Sequence, residues 1–165
     1  MRAWIQKHSI VLTLLLVLAV MVMIFCFSAQ TGVESGAMSG RITTRVLNLV
    51  IPGFSNFVPE KQEAIRSTVG LIVRKLAHFS EYALLGSSLM LHNHQIEKRT
   101  LVRLPWLWSW VVGTLYAASD EFHQGFVAGR GPSVVDVMID SGGVLAGTVL
   151  LLWIILRRTK KKASL

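Results

Sequence analysis

The sequence predicts an all-α, polytopic membrane protein: four transmembrane helices, with an amphipathic helix in the loop on the outer side. Three observations predict it. The 165-residue chain is 52% hydrophobic with a mean hydropathy of +0.53, more apolar than an ordinary soluble domain. Its apolar residues gather into four segments of about 20 residues, the length a helix needs to cross a hydrocarbon core. Lysines and arginines crowd against the ends of those segments, as they do on the cytoplasmic side of a bilayer. The length suits one domain, read here as residues 1–165. Cys26 is the single cysteine, which excludes an intramolecular disulfide and cysteine-based metal motifs.

The first span, "SIVLTLLLVLAVMVMIFCF" (about 9–27), carries no charge. It reads as a retained signal anchor, because bulky Phe27 and Phe25 occupy positions that signal-peptide or lipoprotein cleavage would reserve for small residues. The loop that follows, residues 28–68, is the one long connection. Its stretch "RITTRVLNLVIPGF" sets Ile42, Val46, Leu49 and Val50 at helical spacing beside Arg41, Arg45 and Asn48. That pattern suits a short helix on the membrane surface, or equally a loop packed over the bundle. The second span, about 69–91, contains "RKLAHFSEYALLG" and is weak by hydropathy alone. The third, about 105–124, is rich in tryptophan, as suits an interfacial belt. The fourth, about 135–156, runs directly into a basic tail, residues 157–165.

The formal charge of +8 resolves into this pattern rather than into a nucleic-acid surface. With four spans and an inner N-terminus, ten basic residues fall inside: Arg2, Lys7, Lys98, Arg99, Arg103 and five in the tail. Five fall outside: Arg41, Arg45, Lys61, Arg66 and Arg130. Both termini are therefore expected in the cytoplasm, and no nucleic-acid partner is expected.

This orientation brings the costly polar residues to one level. Arg74, Lys75, His78 and Glu81 lie in the outer half of span two. Asp120, Glu121, His123 and Gln124 close span three, and Asp136 and Asp140 open span four. At about 100° per residue, Arg74, His78 and Glu81 share a stripe, as do Tyr116, Asp120, His123 and Gln124, with Glu121 rotated off. Asp136 and Asp140 align with Gly143 and Gly147, a small-xxx-small spacing that lets a second helix approach closely. Each feature also has a plainer reading. Asp136 suits a helix cap, Arg74 an interfacial anchor, His78 and Glu81 a structural pair, and residues 120–124 a solvated helix end. The joint placement of three stripes at one depth favours a shared pocket.

Two chemistries fit such a pocket. Arg74, Lys75 and Arg130 can grip an anionic group, with Tyr116, Gln124, Asp136 and Asp140 completing a ligand site. Alternatively, His78, Glu81, Asp120 and His123 can act as catalytic acid–base groups, with a divalent metal as a candidate cofactor held by the carboxylates and imidazoles. "HFSE" and "DEFH" are short, common spacings, so no metal ligand set follows from them.

"FSAQ" after span one, "RKLAHFSEYALLG" and "YAASDEFHQGFVAGRGPSVVDVMIDSGGVLAG" together resemble the VanZ-like family of small bacterial membrane proteins. The resemblance covers all four spans. It implies a bacterial cytoplasmic-membrane protein of the cell envelope, in a family named for association with low-level resistance to teicoplanin-type lipoglycopeptides. The partners to expect are membrane lipids, a lipid-linked wall precursor or a lipoglycopeptide. The alternative to expect is an intramembrane enzyme acting on a lipid-linked substrate.

Overall fold

Every regular element is helical among the described residues of the computed structural model, which are 2–97 and 104–163, with side chains described for 8–97 and 104–161. The expected inner loop with Lys98, Arg99 and Arg103 lies outside them, as do the side chains of Arg2, Lys7 and Lys162. Five α-helices follow in order: α1 (Arg2–Ser28), α2 (Gly32–Val50), α3 (Pro59–Glu97), α4 (Pro105–Gln124) and α5 (Val134–Ala163).

α1 forms from the uncharged apolar run and packs through one stripe, Thr13, Val17, Val20, Ile24 and Ser28, all buried. That spacing of three and four is one face of a helix. The opposite face stays open, with Leu12 65% and Val22 60% exposed. So long an apolar surface requires lipid or a partner rather than water. By length and composition two helices could cross a membrane among the described residues, within His8–Ser28 and Val134–Lys161.

α2 corrects the expected loop helix. It begins at Gly32, not near Arg41, because Thr31 and Glu34 form a capping box that starts it earlier. The Thr31 hydrogen bonds, backbone first and side chain second, hold the exposed Glu34 carboxyl below its ordinary 4.5. α2 ends at Val50 because Pro52 and the left-handed Gly53 turn the chain. Its buried face is Ser35, Thr43 and Leu47, packed on α3. The apolar residues Val46, Leu49 and Val50 are exposed, with Leu49 at 86%.

α3 extends the expected 69–91 span at both ends to 39 residues, about 58 Å at 1.5 Å per residue. Pro59 starts it, where a missing N–H is harmless. α4 keeps the expected bounds, with Pro105 at its first position. α5 continues as helix through the basic tail to Ala163, so those lysines and arginines extend a helix rather than an irregular segment.

α3 is the centre of the bundle and touches all four other helices. Against α5 the backbones nearly meet. A Cβ added at Gly143, Gly147 or Gly86 would overlap the carbonyls of Phe79, Ala83 and Val144 respectively. The approach is sealed by two cross-helix bonds, Ser87 Oγ to the Gly147 carbonyl at 3.1 Å and Thr148 Oγ1 to the Gly86 carbonyl at 3.3 Å. Beside it, Val17, Val20, Ile24, Tyr82, Leu85, Leu89, Ala117 and Val144 form the apolar core.

Candidate functional site

The C-terminal ends of α1 and α4, the N-terminal half of α3 and the start of α5 gather at one end of the bundle. Two connections close over it. The Gly32 N–H donates to the Ala128 carbonyl at 3.0 Å, and Arg130 reaches the Phe27 carbonyl at 3.3 Å. Gly32 is needed there, since a Cβ would overlap the Gly129 carbonyl.

Beneath lies a cavity of about 210 Å³ whose polar lining is Arg74, Lys75, His78, Gln124, Arg130, Asp136 and Asp140. A smaller compartment of about 60 Å³ shares Arg74, His78 and Arg130 and adds Glu81. Lys75 and Asp136 form an ion pair between α3 and α5. One turn deeper, His78 Nδ1 stands 4.0 Å from the fully buried Asp140 carboxylate. Among the described residues, neither Asp140 oxygen, nor His78 Nδ1, nor Arg74 Nε has a hydrogen-bond partner. Buried polar atoms seldom go without one, so this end of the bundle holds unused hydrogen-bonding capacity. Arg130 lies in the turn between α4 and α5. Burial, then the like charge of Arg74, holds its guanidinium below the usual arginine value, while Asp120, Glu121 and Glu81 pull upward. Arginine stays charged under such shifts, so the cavity keeps a fixed cation in its roof.

Two of the expected site residues, Tyr116 and His123, are turned toward α1. Tyr116 donates its hydroxyl to the Met21 carbonyl of α1 at 2.7 Å. The His123 ring packs on Phe25, with centroids 4.9 Å apart. Asp120 is buried and accepts from Gln124 Nε2 at 3.2 Å. At Tyr116 and His123 the neighbour of α4 is α1, not the cavity. Among the described residues, no group of three or more His, Cys, Asp or Glu is arranged to hold a metal ion. The larger cavity offers three cations, two carboxylates, one amide and one imidazole.

Glu121 was read as rotated away, yet it is buried and structural. Its Oε1 accepts the Ser133 N–H at 2.7 Å. Ser133 caps α5 by accepting the Asp136 N–H on its hydroxyl at 3.3 Å. In an ordinary capping box the acid three residues on would bond the cap's own N–H. Here Glu121 takes that role, which leaves the Asp136 carboxylate for Lys75. Tyr82, fully buried, is a second polar residue that sequence reasoning missed.

Glu121→Ala is expected to cost about 2 kcal/mol, the scale of a bond to a charged acceptor. It should also free the turn that carries Arg130. Thermal melting together with trypsin cleavage after Arg130 measures both, with Glu121→Gln intermediate. Unchanged cleavage would show that this carboxylate does not hold the turn.

No curated protein and no solved structure matches the chain. The profile of the family described as VanZ/LLP1 matches residues 13–157, which takes in every helix of the bundle and every residue lining the two compartments. The chain belongs to the VanZ/LLP1 family.

Proposed function

We propose that this is a cytoplasmic-membrane protein of the bacterial cell envelope whose outward-facing polar pocket engages an anionic envelope lipid or a lipoglycopeptide. One observation carries the reading: Arg74, Lys75 and Arg130 converge with Asp136 and Asp140 around one cavity at one end of the bundle. Fixed guanidiniums of this kind suit phosphate or carboxylate groups. The acids neutralise part of the charge and hold the bases in place, as the Lys75–Asp136 pair illustrates. Family membership supports an envelope role of the teicoplanin-tolerance type.

In this reading the chain crosses the membrane four times, through α1, the middle of α3, α4 and α5, with both termini cytoplasmic. The ten-to-five division of basic residues supports the orientation. In a Cys26→Ser background, a membrane-impermeant thiol reagent is expected to label Ser55→Cys in intact cells and Lys160→Cys only after lysis. The reverse pattern would invert the topology.

Teicoplanin susceptibility in a Gram-positive host tests the pocket. The wild-type chain is expected to protect over empty vector, whereas Arg130→Gln and Asp140→Asn at equal membrane levels are not. Equal protection by all three would remove the pocket from the function. The His78–Asp140 contact at 4.0 Å favours one second reading, an enzyme with His78 as general acid–base oriented by Asp140. Release of phosphate from a lipid pyrophosphate by wild type, lost in His78→Gln, would select that reading.

A further inference from the structure

A second and larger concavity lies beside the pocket, between α2 and the first turns of α3. It has a volume of about 690 Å³, within the usual range for small-ligand sites. Arg41 and Arg45 reach it from α2, and Arg66 and Arg74 from α3. Four arginines line it with a single carboxylate, Glu63, a surplus of three positive charges, and Arg66 also reaches Gln62 Oε1 at 3.4 Å and lies over the Phe54 ring. Among the described residues none of the four has an ion-pair partner, and Arg74 Nε is buried without a hydrogen-bond acceptor. Like charges brought together in this way repel one another unless an anion sits among them.

The rest of the lining is small or hydroxylated. Gly36 and Gly40 stand on α2, and Thr43 meets Gly70 of α3 across the groove, with 3.7 Å between the Thr43 hydroxyl and a Cβ placed at Gly70. Small residues let an anion approach the backbone, while the Ser39, Thr43 and Ser67 hydroxyls donate to helix carbonyls and leave recognition to the arginines. Space beside Gly40 is open, with no atom within 4 Å of an added Cβ.

We propose that this groove binds a pyrophosphate group, free or carried on a lipid. The charge decides between one phosphate and two. A phosphate monoester carries about two charges at neutral pH, which leaves the surplus of three unmatched. Two linked phosphoryl groups match it. Arg41 and Arg45 stand about one turn apart, about 6 Å along the helix, so each phosphoryl can meet its own guanidinium on α2 and another on α3. Arg74 lines both the groove and the polar cavity, which makes the two sites continuous. Exposed Ile42 and Val46, each next to a groove arginine on α2, give a lipid tail an apolar surface beside its headgroup. The proposal extends the envelope-lipid reading by naming its headgroup.

The test titrates the full chain in detergent with inorganic pyrophosphate, a prenyl pyrophosphate and orthophosphate. Wild type is expected to bind pyrophosphate at least tenfold more tightly than orthophosphate. Arg41→Gln with Arg45→Gln, and separately Gly40→Trp, which fills the open space, are expected to weaken binding at least tenfold without lowering the ligand-free melting temperature. Lys61→Gln, a nearby base outside the groove, should change nothing. Equal binding of the free and prenyl forms identifies the phosphates alone as the ligand, and binding of the prenyl form alone identifies a lipid. Undiminished binding by both groove variants would overturn the proposal. Loss with Arg130→Gln but not with the Arg41 and Arg45 pair would also overturn it, while leaving the polar-cavity reading intact.

Discussion

Gly147→Leu is expected to leave little folded protein. A Cβ at this position overlaps the Ala83 carbonyl, and backbone cannot rotate aside as a flexible side chain can. Sliding the helices apart offers no relief. α3 and α5 also meet backbone to backbone at Gly86 with Val144 and at Gly143 with Phe79, so separation forfeits those contacts and both cross-helix hydrogen bonds. Overpacking a core costs about 1–3 kcal/mol. A clash with main chain that cannot relax, added to those forfeited contacts and hydrogen bonds, exceeds that range and takes up most of a total stability of about 5–15 kcal/mol. Gly142→Ala, in the same segment, is the matched control: its Cβ would meet only the Phe79 ring, at 3.8 Å. It should be neutral or stabilising, since alanine favours helix over glycine by about 1 kcal/mol. Thermal melting in detergent compares the two. If Gly147→Leu melts with the wild type, the close approach of α3 and α5 does not exist.

The same packing has a consequence for the site. Asp140 lies two turns from Gly147 on α5, and His78 lies one residue before Phe79 on α3. The glycines that let the helices close therefore also set the distance between the buried carboxylate and the imidazole. A smaller displacement, as from Gly143→Ala, should reach the pocket before it unfolds the bundle.

Much of this arrangement was legible in the sequence. Proline before a tryptophan-rich run and glycine after Gln124 bounded α4, and the Gly143–Gly147 spacing announced a close helix contact. Arg74, His78 and Glu81 were placed on one stripe by angle alone, and the structure has all three lining the smaller compartment. The misses have specific causes. "TGVE" after span one is a capping box, a start signal carried by polar residues that lie well before the apolar periodicity at Arg41 and leave no trace in it. Helical angles place Tyr116 and His123 on a face but do not say which helix occupies it, and here that helix is α1. Glu121 was set aside because its partner is a backbone N–H twelve residues away, across a turn whose shape no periodicity encodes. The arginine groove was missed for a similar reason: Arg41 and Arg45 were counted for topology, and nothing in the sequence shows that α2 folds back along α3 to face Arg66 and Arg74.

Arg74 is where these two surfaces meet, and Arg74→Gln is expected to damage both. It is the one cation that lines the groove, the polar cavity and the smaller compartment alike. Its loss removes charge-assisted bonds of about 1.5–3 kcal/mol, roughly a 10–100-fold change in affinity. Pyrophosphate binding and teicoplanin protection should therefore fall together, whereas Arg130→Gln should lose only protection and the Arg41 and Arg45 pair should first lose pyrophosphate. Stability is the discriminating readout. Arg74 has no acid partner among the described residues and stands beside other guanidiniums, so removing its charge relieves repulsion. The melting temperature should hold or rise. A fall in melting temperature as large as that from a core substitution would make Arg74 a structural residue. Loss of only one of the two activities would separate the groove from the cavity.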